Sequence, residues 1–110
     1  MANEMAVKVV LETIDLLKDE ANWEKNSEYD EDCSKQTDKL TLGCALVKSQ
    51  MLIRGEVKDR AREMGIIRRV IHKHYFIAGG IHPITYFNSN RRTTHDDLMN
   101  VLNLSLEKLK

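Results

Sequence analysis

The chain predicts an all-α fold, a single compact domain of four to five helices with a long acidic loop after the first. Three observations carry that expectation. Apolar residues recur at spacings of three and four, the apolar run from Leu40 to Ile53 is longer than an ordinary strand, and the last segment opens on a helix-capping signature. A length of 110 residues fits one domain spanning 1–110, and an apolar share of 42% is that of a globular chain, not a disordered one.

The first helix places Val7, Val10, Leu11, Ile14 and Leu17 on one side, with Lys8, Glu12, Asp15 and Lys18 opposite. Asn3 is its expected N-cap, and its end is expected near Glu20 or Ala21. From residue 22 to 38 the periodicity stops. Glu24, Glu28, Asp30, Glu31, Asp32 and Asp38 alternate with Asn, Ser and Thr, which reads as an exposed loop. Trp23 is expected to tuck back onto the core as an anchor, the alternative being an exposed hot spot for a partner.

Leu40 to Ile53 reads as a buried helix in which Gly43-Cys44-Ala45 allows close backbone approach. The two cysteines, Cys33 and Cys44, are eleven residues apart in a chain with no secretion signal, so two free thiols are expected, with Cys44 as core filler. Arg54-Gly55 breaks the run. The helical pattern is expected to resume at Glu56 with Val57, Ala61 and Met64 inward, to be interrupted at Gly65, and to continue through Ile66, Ile67, Val70 and Ile71 to about Tyr75. Gly79-Gly80 and Pro83 mark a turn, and Ile84-Thr85-Tyr86-Phe87 reads as a short extended piece or an apolar plug. In the last helix, Thr94 and Asp97 form a capping box ahead of the stripe Leu98, Val101, Leu102 and Leu109.

No stretch reaches the roughly 18 consecutive apolar residues that span a bilayer, and the first residues lack the basic and apolar regions of a signal peptide. A cytoplasmic protein with no membrane partner is the expectation. Net charge is zero, yet residues 1–53 carry −5 and residues 54–110 carry +5. That asymmetry reads either as the acidic loop folding over the basic helix or as an anion-binding face.

Enzyme readings find little to stand on. A metal-dependent phosphohydrolase would use His95-Asp96 with one of His72, His74 or His82, but no later Asp supplies the remaining ligand and capping explains the pair. His72 and His74 point about 200° apart on a helix, so they cannot converge on zinc, and one is expected partly buried and the other exposed. No phosphate loop and no nucleophile with an identifiable base is present, and no cofactor is expected. A basic helix face remains: Arg68, Arg69, His72 and Lys73 at i, i+1, i+4 and i+5, with Arg91 and Arg92 in the loop before the last helix.

Read in order, Trp23, the acidic gap, Leu42-Gly43-Cys44-Ala45-Leu46, Tyr86-Phe87-Asn88 and Arg92-Thr93-Thr94 form a pattern. It resembles a family of small uncharacterised proteins of phages and actinobacteria, in which a Trp precedes a Cys-Ala-Leu helix and a Trp-Asn-Asp segment with an Arg-Thr introduces the last helix. Here Phe87-Asn88-Ser89 stands in place of Trp-Asn-Asp. The resemblance implies a compact helical fold in which Asn88 caps or pins the final loop, and it brings no established activity. The expected function is a small non-enzymatic binding protein, possible self-association included. Its candidate contact residues are Trp23, Arg68, Arg69, His72, Lys73, Arg91 and Arg92, which would equally suit an anionic ligand such as a nucleotide or nucleic acid.

Overall fold

The computed structural model describes residues 3–25, 32–36, 38–75 and 82–110. Their order is α1 (Glu4–Leu17), a 3-10 turn (Glu20–Asn22), a second 3-10 turn (Cys33–Lys35), α2 (Leu42–Arg54), α3 (Arg62–Tyr75), α4 (Pro83–Ser89) and α5 (His95–Leu109). The fold is all-α and closes around one core. Helix α1 packs between α2 and α5, α3 packs on α5, and α4 fills the gap between α2 and α3. Leu17, Leu42, Leu46, Ile67, Ile71, Phe87, Leu98 and Leu102 are all fully buried there.

Helix α1 runs antiparallel to α5, and polar contacts fasten both ends of the pair. The Asn3 side chain leaves its own helix uncapped and donates from Nδ2 to the Leu109 carbonyl at 3.2 Å. At the other end His95 donates from Nε2 to the Leu17 carbonyl at 2.7 Å, which satisfies a terminal acceptor of α1. The helix ends at Leu17, earlier than periodicity indicated, because Asp19 accepts from the Ala21 N–H at 2.9 Å and starts a tighter turn. Between α1 and α2 two buried hydroxyls meet. Thr13 donates to the Val9 carbonyl (2.8 Å), so Ser49, 2.9 Å away, donates to Thr13.

The chain from 56 to 61 corrects the expected helix. Gly55 ends α2 in the left-handed conformation at φ +79°, where a side chain would be strained. The Gln50 carboxamide then clasps Lys58 by both backbone groups, accepting from its N–H (3.1 Å) and donating to its carbonyl (2.9 Å). That clasp fixes a turn, so Val57 is half exposed instead of inward, and α3 starts only at Arg62. Gly65 does not interrupt α3. It sits on the exposed side of a continuous helix, which tolerates one glycine at a cost of about 1 kcal/mol.

Residues 83–89 are also helical, neither extended nor an irregular plug. Pro83 occupies the first turn, where its fixed φ suits a helix and its missing N–H costs nothing. Phe87 is buried from α4 against the Tyr75 ring at 5.1 Å. The Gly79-Gly80 turn lies outside the described residues. In α5 both arms of the capping box form, Thr94 Oγ1 accepting from Asp97 N–H (3.1 Å) and the Asp97 carboxylate accepting from Thr94 N–H (2.9 Å).

Candidate functional site

Asn88 organises the region between α1 and α2. Its side chain is fully buried and uses all of its hydrogen-bonding capacity. Oδ1 accepts from the Trp23 indole N–H at 2.7 Å and from the Leu42 N–H at 2.9 Å, and Nδ2 donates to the Glu24 and Lys25 carbonyls at 3.0 and 2.9 Å. One carboxamide on α4 thus holds the start of α2 and the strand-like segment after α1, where Trp23 and Leu40 form a parallel bridge. Asn88 does cap a helix, but it is α2, and the chain it pins is 23–25. Trp23 is the expected core anchor, 7% exposed.

The two cysteines correct the free-thiol expectation: Cys33 and Cys44 are joined in a disulfide. The free-thiol expectation rested on the lack of a secretion signal, and nothing in either cysteine's own segment marks the turn that brings them together. The Gln36 side chain accepts from the Thr41 N–H at 2.9 Å, folding the Cys33–Lys35 turn back over the first turn of α2 and bringing the Cα atoms to 5.3 Å. Closing a loop of this length stabilises the fold by about 3 kcal/mol, mainly through the unfolded chain. Reduction is therefore expected to lower the Tm by about 10 °C without changing the helical circular dichroism of the folded state. An unchanged melting curve with and without dithiothreitol contradicts it.

At the corner where α2 turns into α3 lies a different kind of polar group. Glu63 is fully buried, accepting from Arg54 Nε (2.9 Å) and Nη2 (2.7 Å) and from Gln50 Nε2 (2.8 Å). Burial alone would raise its pKa, but the bonds from Arg54 and Gln50 outweigh it and hold the carboxyl below the ordinary glutamate value, while the same pairing raises Arg54. Above this network, a pocket of about 530 Å³ is edged by Arg54, Lys58, Arg60 and Arg62. It shares Asp59 and Arg60 with a groove of about 780 Å³ that runs over Val47, Met64 and Ile84 and is walled by Cys33. Asp59 fixes Arg68 at the edge of this groove, accepting from Nη2 at 2.5 Å on its carboxylate and from Nη1 at 2.9 Å on its carbonyl.

The same corner carries exposed apolar side chains. Leu52 is 68% exposed, and Met51, Val57 and Met5 are each about half exposed. Met5 joins the others through Arg54, whose Nη1 reaches its sulfur at 3.4 Å.

The basic residues singled out from sequence do not form one site. Arg68 lines the α2–α3 groove and is paired with Asp59, whereas Arg91 lines a separate cavity beside Trp23 and His95, where Lys25 donates to the Arg91 carbonyl (3.2 Å) and to that of Thr93. Arg69, His72 and Lys73 are exposed along α3, and Arg92 is exposed in the turn before α5. His72 and His74 are both exposed, where one was expected partly buried. The acidic residues Glu28, Asp30 and Glu31 of the loop expected to fold over the basic helix lie outside the described residues. Among the described residues no group of three or more His, Cys, Asp or Glu side chains is placed to share a metal ion.

Lys58, Arg60 and Arg62 were missed, and the reason is geometric. Read as a helix, cations two residues apart point about 200° from each other and scatter. In the clasped turn that forms instead, they edge one pocket. The signal in the sequence was the cation at every second position directly after a helix-ending Arg54-Gly55.

No protein-family model matches this chain, no curated protein matches it, and no solved structure matches it. No helix among the described residues is long and apolar enough to cross a membrane.

Proposed function

We propose that this chain is a non-enzymatic binding protein that docks through its α2–α3 corner onto a protein partner. The observation that carries the reading is the exposure of Met51 and Leu52 on the last turn of α2, with Val57 exposed just beyond it in the chain and Met5 of α1 reached by Arg54 of the same turn. Apolar residues gathered this way mark interaction surfaces more than scattered ones do. The exposed cations beside them, Lys48 and Lys58, favour a partner with an apolar centre and an acidic rim. Pairing with a second copy across a two-fold axis would set these cations against themselves, so a different chain suits the surface better.

The Cys33–Cys44 bond supports a working form in an oxidising compartment instead of the cytoplasm that the sequence pointed to. The test compares wild type with Leu52→Asp as baits in the native source. Placing a charge at the centre of the surface is expected to weaken capture of the specific partner by about tenfold or more, since a buried Leu contributes about 1.5–3 kcal/mol. High salt is expected to weaken it further. Equal recovery of the same proteins by both baits contradicts the assignment.

A further inference from the structure

We propose that the α2–α3 corner also binds a phosphomonoester, its phosphate in the pocket edged by Lys58, Arg60 and Arg62 and its organic body in the adjoining groove over Val47, Met64 and Ile84. The inference goes beyond protein docking and, of the side chains that bind, shares only Lys58 with it.

The pocket is held in shape by contacts that leave these three cations unspent. Gln50 fixes the Lys58 backbone, Glu63 takes up Arg54 and Asp59 takes up Arg68. Among the described residues the side chains of Lys58, Arg60 and Arg62 engage no such partner, and all three are exposed. Between Arg54 and Arg68 five cations face three acids, a net +2. A phosphomonoester carries about −1.5 to −2 at neutral pH and offers three acceptor oxygens, which guanidinium groups meet in pairs. The pocket also lies at the start of α3, whose positive end adds to the same field. Zero net charge on the whole chain does not fit a general nucleic-acid binder.

The groove explains why a bare phosphate is not the better fit. It meets the pocket at Asp59 and Arg60, and Val47, Met64 and Ile84 give it an apolar floor. Its volume of about 780 Å³ is of the size that holds a small organic molecule.

The experiment titrates phenyl phosphate and inorganic phosphate into the disulfide-bonded protein, following heat and backbone amide shifts. Phenyl phosphate is expected to bind more tightly than inorganic phosphate, shifting amides of 58–62. The Arg60→Ala/Arg62→Ala variant is expected to lose about tenfold or more, as for one charge-assisted hydrogen bond, and Arg91→Ala/Arg92→Ala to lose nothing. Among the described residues neither the Arg60 nor the Arg62 side chain forms a hydrogen bond or ion pair, so the variant is expected to keep the wild-type melting curve, and an unchanged curve shows that it is intact.

A parallel arm offers phosphatidic-acid vesicles. Vesicle binding displaced by phenyl phosphate identifies a lipid headgroup as the source of the ester, and phenyl phosphate binding without vesicle binding identifies a soluble one. No binding of phenyl phosphate, or binding unaffected in the Arg60/Arg62 variant, overturns the proposal. Equal affinity for the two phosphates overturns the part of it that uses the groove.

Discussion

Replacing Asn88 by Ala is expected to destabilise the protein by about 4 kcal/mol or more, because it strips four partners at once. The Trp23 indole N–H, the Leu42 N–H and the Glu24 and Lys25 carbonyls would all stay buried with nothing to bond. Each such group costs about 1–3 kcal/mol, and some are relieved by water entering the gap. A domain of this size has about 5–15 kcal/mol in total, so the variant is expected to be partly unfolded at moderate temperature. Urea denaturation measures it, and a loss under about 1 kcal/mol contradicts the role given to Asn88. Asn88→Asp separates hydrogen bonding from shape. The carboxylate still accepts from Trp23 and Leu42 but faces the Glu24 and Lys25 carbonyls without a donor, so the variant is expected to be least stable at neutral pH and to recover in acid as it protonates.

Glu63→Ala is the second large expected loss, about 3–5 kcal/mol, since it leaves the largely buried Arg54 guanidinium without its counter-charge. The double variant Arg54→Met/Glu63→Leu is expected to regain most of it by filling the space with apolar side chains. The pair also sets a pH dependence. Because the folded carboxyl is held below its ordinary value, its contribution is complete above the unfolded glutamate pKa of about 4.3 and is lost as pH falls through the lower folded value. Wild type is therefore expected to lose stability in acid more steeply than Glu63→Gln. Parallel stability-against-pH curves for the two contradict the pairing.

Both side chains show what periodicity can and cannot reveal. The apolar stripes of α1, α2, α3 and α5 were legible in the main because burial imposes a spacing that a single segment displays by itself, but Leu11, expected on the inner side of α1, is 46% exposed, and Met51 and Leu52, expected in a buried helix, are 51% and 68% exposed. The capping box of α5 was legible for the same reason, its two members being three residues apart. Asn88 bonds to residues more than forty positions away, and Glu63 to residues nine and thirteen away across a turn. Neither bond leaves a mark on its own segment. Asn88 was expected to cap or pin the final loop, whereas its bonds go to Leu42, Trp23 and the carbonyls of Glu24 and Lys25.

The turn at 55–61 was misread for a related reason. Val57, Ala61 and Met64 fit a helical spacing, yet Gly55 in its left-handed conformation and the Gln50 clasp on Lys58 override that local preference. That one misreading hid the candidate site, because it turned Val57 inward and scattered Lys58, Arg60 and Arg62. The disulfide was hidden similarly, by a turn that Gln36 holds in place.

Under the proposed docking, the α2–α3 corner, and not the basic turn before α5, is the surface that meets a partner. A photoreactive benzophenone side chain placed at Leu52 or, in a second protein, at Arg92 tests it most directly, since both positions are exposed and neither supports the core. Irradiation in the native source is expected to join the position-52 protein to another chain and to leave the position-92 protein uncrosslinked. Crosslinking from position 92 with none from position 52 would contradict the account.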